Sequence, residues 1–79
     1  MDITRIIKNV PDSVKADVID FTDGRMKDGK LATRVLIDRL LSDEEKAIMR
    51  TNKKITGVDY IATYRYAPEI KKSYFYILH

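Results

Sequence analysis

The chain contains no cysteine and no tryptophan, and only one of its 79 residues is a histidine. Without cysteine it can form neither a disulfide nor a thiolate nucleophile, and one histidine cannot supply the ligand set of a zinc site. Only three glycines and two prolines are present, which excludes glycine-rich phosphate loops and low-complexity linkers. We therefore expect no catalytic residue, no metal and no other cofactor, and hence a protein that is not an enzyme.

Long apolar runs are also missing, and the first residues do not combine a basic segment with an apolar stretch. We therefore expect neither a signal peptide nor a spanning helix, and we predict a cytoplasmic protein that does not bind a membrane. In size and in its lack of catalytic motifs the chain is similar to small virus-encoded inhibitors of host proteins, with which it shares no sequence motif. For a virus-encoded protein the compartment would be the cytoplasm of the host cell.

The composition is typical of a small globular protein, with 44% hydrophobic and 34% charged residues. A chain of this length has room for one core, which predicts a single domain over residues 1–79. The net charge of +3 is unevenly placed: residues 1–45 carry eight basic and ten acidic side chains, whereas residues 46–79 carry seven and two. This basic C-terminal part would attract an acidic protein surface or the phosphates of a nucleic acid.

Helical spacing is most evident in the first half of the chain. One helix is predicted near the start and ends at Pro11, and a second helix is favoured over residues 14–21. Residues 31–41 are rich in leucine and arginine, which favours a third helix. A strand remains an alternative for both 14–21 and 31–41, because part of each segment also alternates. The apolar stripe of the first helix consists of Ile3, Ile6, Ile7 and Val10.

The second half of the chain contains clearer signals. Ser42 and Glu45 have the spacing of a capping box, which predicts a helix over residues 43–52. The β-branched and aromatic residues that follow predict two strands, over about 59–67 and 71–78. The sequence therefore predicts an α+β fold, with N-terminal helices followed by a C-terminal antiparallel β-hairpin.

All five tyrosines lie in residues 60–79. Strand alternation places them on one face of the hairpin together with Lys72, and places Phe75 on the other face. The segment 73–78 carries no charge on either face, so it needs cover or a binding partner. The residues predicted to bind a partner are Tyr60, Tyr64, Tyr66, Tyr74, Tyr76 and Lys72.

Three interpretations of the tyrosine face compete. The first is structural, because tyrosine is common on exposed strand faces. The second, which we favour, is a small inhibitor or regulator that binds another protein or a second copy of itself, since tyrosine often anchors interfaces. The third is a nucleic-acid-binding regulator whose tyrosines stack on bases. Its phosphate-binding cations would be Arg50, Lys53, Lys54, Arg65, Lys71 and Lys72. None of the three involves a small-molecule substrate.

Overall fold

The computed structural model describes residues 10–79, apart from the side chains of Ala67 and Pro68. These residues form one four-stranded antiparallel sheet and two helices, and the order of the strands in the sheet is β1-β2-β4-β3. The elements in chain order are α1 (Asp12–Lys15), β1 (Val18–Arg25), β2 (Leu31–Ile37), α2 (Asp43–Arg50), β3 (Ile55–Tyr64) and β4 (Ala67–Leu78). Apart from Val10, the predicted first helix lies outside the described residues.

Helix α2 confirms the capping-box prediction. The Ser42 side-chain oxygen accepts a hydrogen bond from the Glu45 backbone N–H at 3.2 Å, and the Glu45 carboxylate accepts one from the Ser42 N–H at 2.9 Å. The helix ends at Arg50, two residues earlier than predicted. Neither helix within residues 10–79 is long and apolar enough to cross a membrane.

The helices favoured over residues 14–21 and 31–41 are wrong for most of their length. Residues 18–25 and 31–37 instead form the antiparallel pair β1–β2, and only the short helix α1 precedes them. The β1–β2 turn includes Gly29, whose φ of 87° suits glycine. Leucine and arginine favour a helix by only tenths of a kcal/mol per residue, which is less than the gain from burying one face of β2. The α+β class is confirmed, but two strands come before α2.

The core lies between the helices and one face of the sheet, which we call the inner face. Phe75 in β4 is fully buried there and stands directly opposite Val35 of β2. The helices contribute Val14 and Met49. The buried cluster consists of Val10, Val14, Val35, Ile37, Leu41, Met49, Ile55, Val58 and Phe75. The opposite side of the sheet, here called the outer face, is therefore not the side on which α1 and α2 pack.

A bulge in β3 supplies one of these core residues. The register with β4 shifts between Thr56 and Tyr60, so three residues of β3 face the single residue Phe75. Gly57 has a φ of 77°, a backbone conformation that glycine adopts at little cost. The bulge allows Val58 to be buried in the core while Tyr60 stays on the outer face.

Arg39 connects the segment after α1 to helix α2 through hydrogen bonds to two carboxylates. It donates hydrogen bonds to Asp17 at 2.6 Å and to both carboxylate oxygens of Glu45 at 2.7 and 2.6 Å. The Ser13 hydroxyl donates to Glu45 as well, at 2.8 Å. Hydrogen bonding to Arg39 holds the pKa of Glu45 well below its usual range, and the same contact raises the pKa of Arg39. Glu45 is only 8% exposed, so this network is a partly buried link between α1 and α2.

Candidate functional site

Three tyrosines of the C-terminal hairpin pack together on the outer face. Tyr60 of β3 pairs directly with Tyr74 of β4, and Tyr76 lies two residues further along the same strand. The ring centroids are 5.1 Å apart for Tyr60 and Tyr74, and 6.0 Å apart for each of the other two pairs. We call Tyr60, Tyr74 and Tyr76 the tyrosine cluster. The structure thus brings together three of the residues that the sequence predicts for partner binding.

Two cations lie over tyrosine rings of this face. The ammonium of Lys72 is 5.9 Å from the ring centroid of Tyr64, but it also forms an ion pair with Asp38. Hydrogen bonding to Asp38 raises the pKa of Lys72. The guanidinium of Arg34 lies 4.2 Å above the Tyr74 ring. Unlike Lys72, Arg34 forms no ion pair or side-chain hydrogen bond with any residue between 10 and 79.

The end of the hairpin, residues 60–70, exposes an unusual amount of apolar surface. Among the described residues nine large hydrophobic side chains are exposed, and five of them belong to this short segment. Tyr66, in the turn, is 91% exposed, and Ile61, on the inner side of β3, is 51% exposed. The five side chains are Tyr60, Ile61, Tyr64, Tyr66 and Ile70. The hairpin end is therefore apolar on both of its faces.

The outer face is concave between its two hairpins. A cavity of about 490 Å³ lies there, with strand β1 on one side and the hairpin end on the other. Its lining includes Arg34 and Leu36 from β2 and Tyr76 from β4. The two sides contribute Asp20, Thr22 and Gly24 from β1, and Ala62 and Tyr64 from β3. We call this cavity the trough, and it borders the tyrosine cluster through Tyr76.

The cations predicted to contact phosphates do not form one surface. Arg50 forms an ion pair with Asp59, which also pairs with Lys46, and the contact with Arg50 lowers the pKa of Asp59. The guanidinium carbon of Arg65 lies 5.6 Å from the ring centroid of Tyr66 in the hairpin turn. Lys72, one of the six predicted cations, lies on the outer face with the tyrosine cluster. Its neighbour Lys71 lies on the opposite face of β4 because successive strand residues alternate between faces. Lys53 and Lys54 are exposed in the turn after α2.

One polar row resembles a catalytic arrangement but lacks the access that catalysis requires. The Thr33 hydroxyl donates to Asp23 at 2.6 Å and lies 2.6 Å from Nε2 of His79, whose backbone N–H donates to a carbonyl of β2. Thr33 is fully buried, so its oxygen cannot reach a substrate. Within residues 10–79 no group of three His, Asp or Glu side chains is placed to hold a metal ion.

Three residues of this surface were not among those predicted from the sequence to bind a partner. Arg34 lay in a segment interpreted as a helix, so its position above Tyr74 had no sequence signal. Ile61 did have one, because it directly follows Tyr60 and adds no charge, whereas Ile70 lies between two charged residues and had none. When the helices are too short to reach the hairpin end, an apolar side chain on either face of it is expected to be exposed to solvent.

No protein-family model, no curated protein sequence and no solved structure matches this chain significantly. Its function is therefore inferred from the geometry of the outer face and the hairpin end.

Proposed function

We propose that this chain is a small non-enzymatic protein that binds another protein through its hairpin end and tyrosine cluster, and so acts as an inhibitor or regulator. The observation that carries this proposal is the concentration of five exposed apolar side chains within residues 60–70. Exposed apolar patches on small proteins mark interaction sites, and tyrosine is enriched among the residues that dominate binding energy. The cytoplasm is the proposed compartment, since a chain without cysteine needs no oxidising environment.

Energetics require the exposed side chains to act together. Full burial of one large apolar side chain contributes about 1.5–3 kcal/mol. Association costs on the order of 4–15 kcal/mol in lost translational and rotational freedom. A single tyrosine therefore cannot hold a partner, and a stable complex must cover several side chains on both faces of the hairpin end. A partner that contacts both faces of the hairpin end meets this requirement.

A second copy of the chain is one such partner. Strand β3 lies at the edge of the sheet, so its outward backbone groups have no strand beside them among the described residues. Edge strands of this kind pair readily with an added strand. Analytical ultracentrifugation over a range of protein concentrations separates this case from binding to a different protein.

The test is a set of alanine variants used as bait in lysate of the source cells. Tyr66→Ala and Ile61→Ala should each reduce recovery of the partner by about tenfold, because truncating an interface anchor costs more than about 1 kcal/mol. Ile48→Ala is the matched control for Ile61→Ala, since Ile48 on α2 and Ile61 are both 51% exposed. The control should keep full recovery. Unchanged recovery and oligomeric state in both hairpin variants would refute the proposal.

A nucleic-acid-binding regulator is the second candidate. It is favoured by the cation–π contacts of Arg34 with Tyr74 and of Arg65 with Tyr66, since arginine and tyrosine side chains bind unpaired bases. The ion pairs of Arg50 and Lys72 count against it, because they reduce the charge that is free for phosphates. A fluorescein-labelled single-stranded oligonucleotide that shows no anisotropy change at low salt would eliminate this candidate.

A further inference from the structure

We propose that the trough binds a carboxylate of the partner protein, from an Asp or Glu side chain that is flanked by an apolar residue, and that Arg34 is the group that binds it. This inference rests on the protein-binding function proposed above and adds the chemistry of the segment that the partner presents. It assigns to the trough a role that differs from that of the hairpin end, which supplies apolar contact.

The position of Arg34 prepares its guanidinium for an anion. The Tyr74 ring lies 4.2 Å from the central carbon of the guanidinium and supports it through a cation–π contact. The N–H donors of Arg34 have no protein partner among residues 10–79, although the side chain lines the cavity. A guanidinium supported on a ring loses little conformational freedom when a carboxylate bridges two of its N–H groups. Arg34 is therefore an open and oriented cation.

The other charges of the trough already have partners. Asp20 accepts a hydrogen bond from the next backbone N–H at 2.8 Å, and Asp23 accepts one from a buried threonine at 2.6 Å. Arg25 donates to a backbone carbonyl of the β1–β2 turn at 3.0 Å. Among the charged residues that line the trough, Arg34 thus stands out as the group that a ligand can satisfy.

The same charges favour a carboxylate over a nucleic-acid backbone. A polynucleotide brings a phosphate with every nucleotide, and in the trough it would meet the Asp20 carboxylate as well as Arg34, whereas the Asp23 carboxylate is bonded to Thr33 on the inner face. A single carboxylate needs one guanidinium. Leu36, Ala62 and the Tyr76 ring supply apolar surface beside it, and a volume of about 490 Å³ accommodates the flanking side chain.

The experiment selects ligands directly from a phage-displayed library of random peptides on the immobilised protein. Selected peptides should be enriched in Asp or Glu next to an apolar residue, and a synthetic peptide of the consensus is then measured by fluorescence polarisation. Arg34→Gln should weaken its binding about tenfold, and so should replacing its acidic residue by the amide. The two changes together should weaken binding no more than either alone, since both remove the same contact. Lys27→Gln is the control for the loss of one positive charge, because Lys27 is exposed and does not line the trough.

Selected peptides without acidic residues, a failure to select any peptide, or equal affinity for Arg34→Gln would each overturn the inference. Loss of oligonucleotide binding in Arg34→Gln, with no effect on peptides, would overturn it in favour of a phosphate ligand. Thermal unfolding of each variant checks that the fold is intact. If Tyr66→Ala and Ile61→Ala lose the cellular partner while Arg34→Gln retains it at full strength, the carboxylate contact fails and the protein-binding function stands.

Discussion

The two faces of the sheet differ in what covers them, although both are rich in large side chains. Phe75 on the inner face is fully buried beneath the helices, while its neighbours Tyr74 and Tyr76 on the outer face remain partly exposed. Hydrophobic burial and the Arg39–Glu45 link are concentrated on the inner side. The outer face instead holds tyrosine rings in tilted and edge-to-face contact, a guanidinium above one of these rings, and a concavity. Alternation along a single strand thus separates the residues that hold the fold together from those available for recognition.

The largest expected effect tests this separation. Phe75→Ala should lower the free energy of unfolding by about 3–5 kcal/mol, because it leaves a cavity in the buried cluster. Tyr66→Ala, at a position that is 91% exposed, should change it by less than about 0.5 kcal/mol. Urea denaturation followed by circular dichroism measures both.

Because Phe75→Ala removes much of the stability of so small a protein, Phe75→Leu is the second variant, with an expected loss of about 1–2 kcal/mol. Similar losses for the inner and outer substitutions would contradict a division of labour between the two faces.

A smaller effect is expected from the charged link on the inner side. Glu45→Gln should destabilise the protein by about 2–3 kcal/mol near neutral pH, since Arg39 loses the carboxylate that accepts its hydrogen bonds. The exposed neighbour Glu44 provides the matched control, and Glu44→Gln should have an effect below about 0.5 kcal/mol. Equilibrium unfolding in urea gives both values.

The pH dependence of this effect has a defined sign. The pKa of Glu45 is lower in the folded protein than its ordinary value of 4.5, so its stabilising contribution is present above that value and is lost as the pH falls towards the folded pKa. The difference in unfolding free energy between wild type and Glu45→Gln should therefore stay constant from about pH 7 to about pH 5 and shrink as the pH falls below 4.5. A difference that grows on acidification would show that the carboxylate is not the stabilising species.

The smallest expected effect concerns the bulge that serves both faces. Gly57→Ala should cost about 1–2 kcal/mol, because alanine at a φ of 77° is strained. The added Cβ would also lie 2.7 Å from a ring carbon of Tyr60. In Gly24→Ala, the control, the added Cβ has nothing within 4 Å, and stability should stay within about 0.5 kcal/mol of wild type.

Chemical shifts of Tyr60 and Val58 in NMR spectra should both change in Gly57→Ala. A perturbation confined to one face would show that the bulge does not couple the core to the tyrosine cluster.

Local sequence signals predicted part of this architecture. The capping box of α2 was predicted because its hydrogen bonds join residues only three apart. The hairpin was predicted from alternation and β-propensity. Four of its tyrosines share one face as that alternation required, whereas Tyr66 lies in the turn between the two strands. Residues 31–37 were assigned wrongly because their strand state depends on pairing with β4, as between Val35 and Phe75, which lie 40 positions apart. Propensity scales do not contain such a contact.

The candidate site shows the same limit. Its tyrosines were visible in the sequence, but the ion pair that neutralises Lys72 and the ring that supports Arg34 come from distant segments of the chain. The assignment of free and paired cations is a property of the folded sheet, and it moved the expected anion contact from Lys72 to Arg34.

Composition, charge distribution, the start of α2 and the tyrosine alternation were determined by the sequence itself, because each depends on residue types or on neighbours within a few positions. Tertiary structure decided that β1 and β2 are strands, that the helices cover the inner face, and that Arg34 meets Tyr74 above the trough. The physical reason is that burial and pairing across a sheet connect residues far apart in the chain, and their free energy outweighs the small local preferences that a sequence displays.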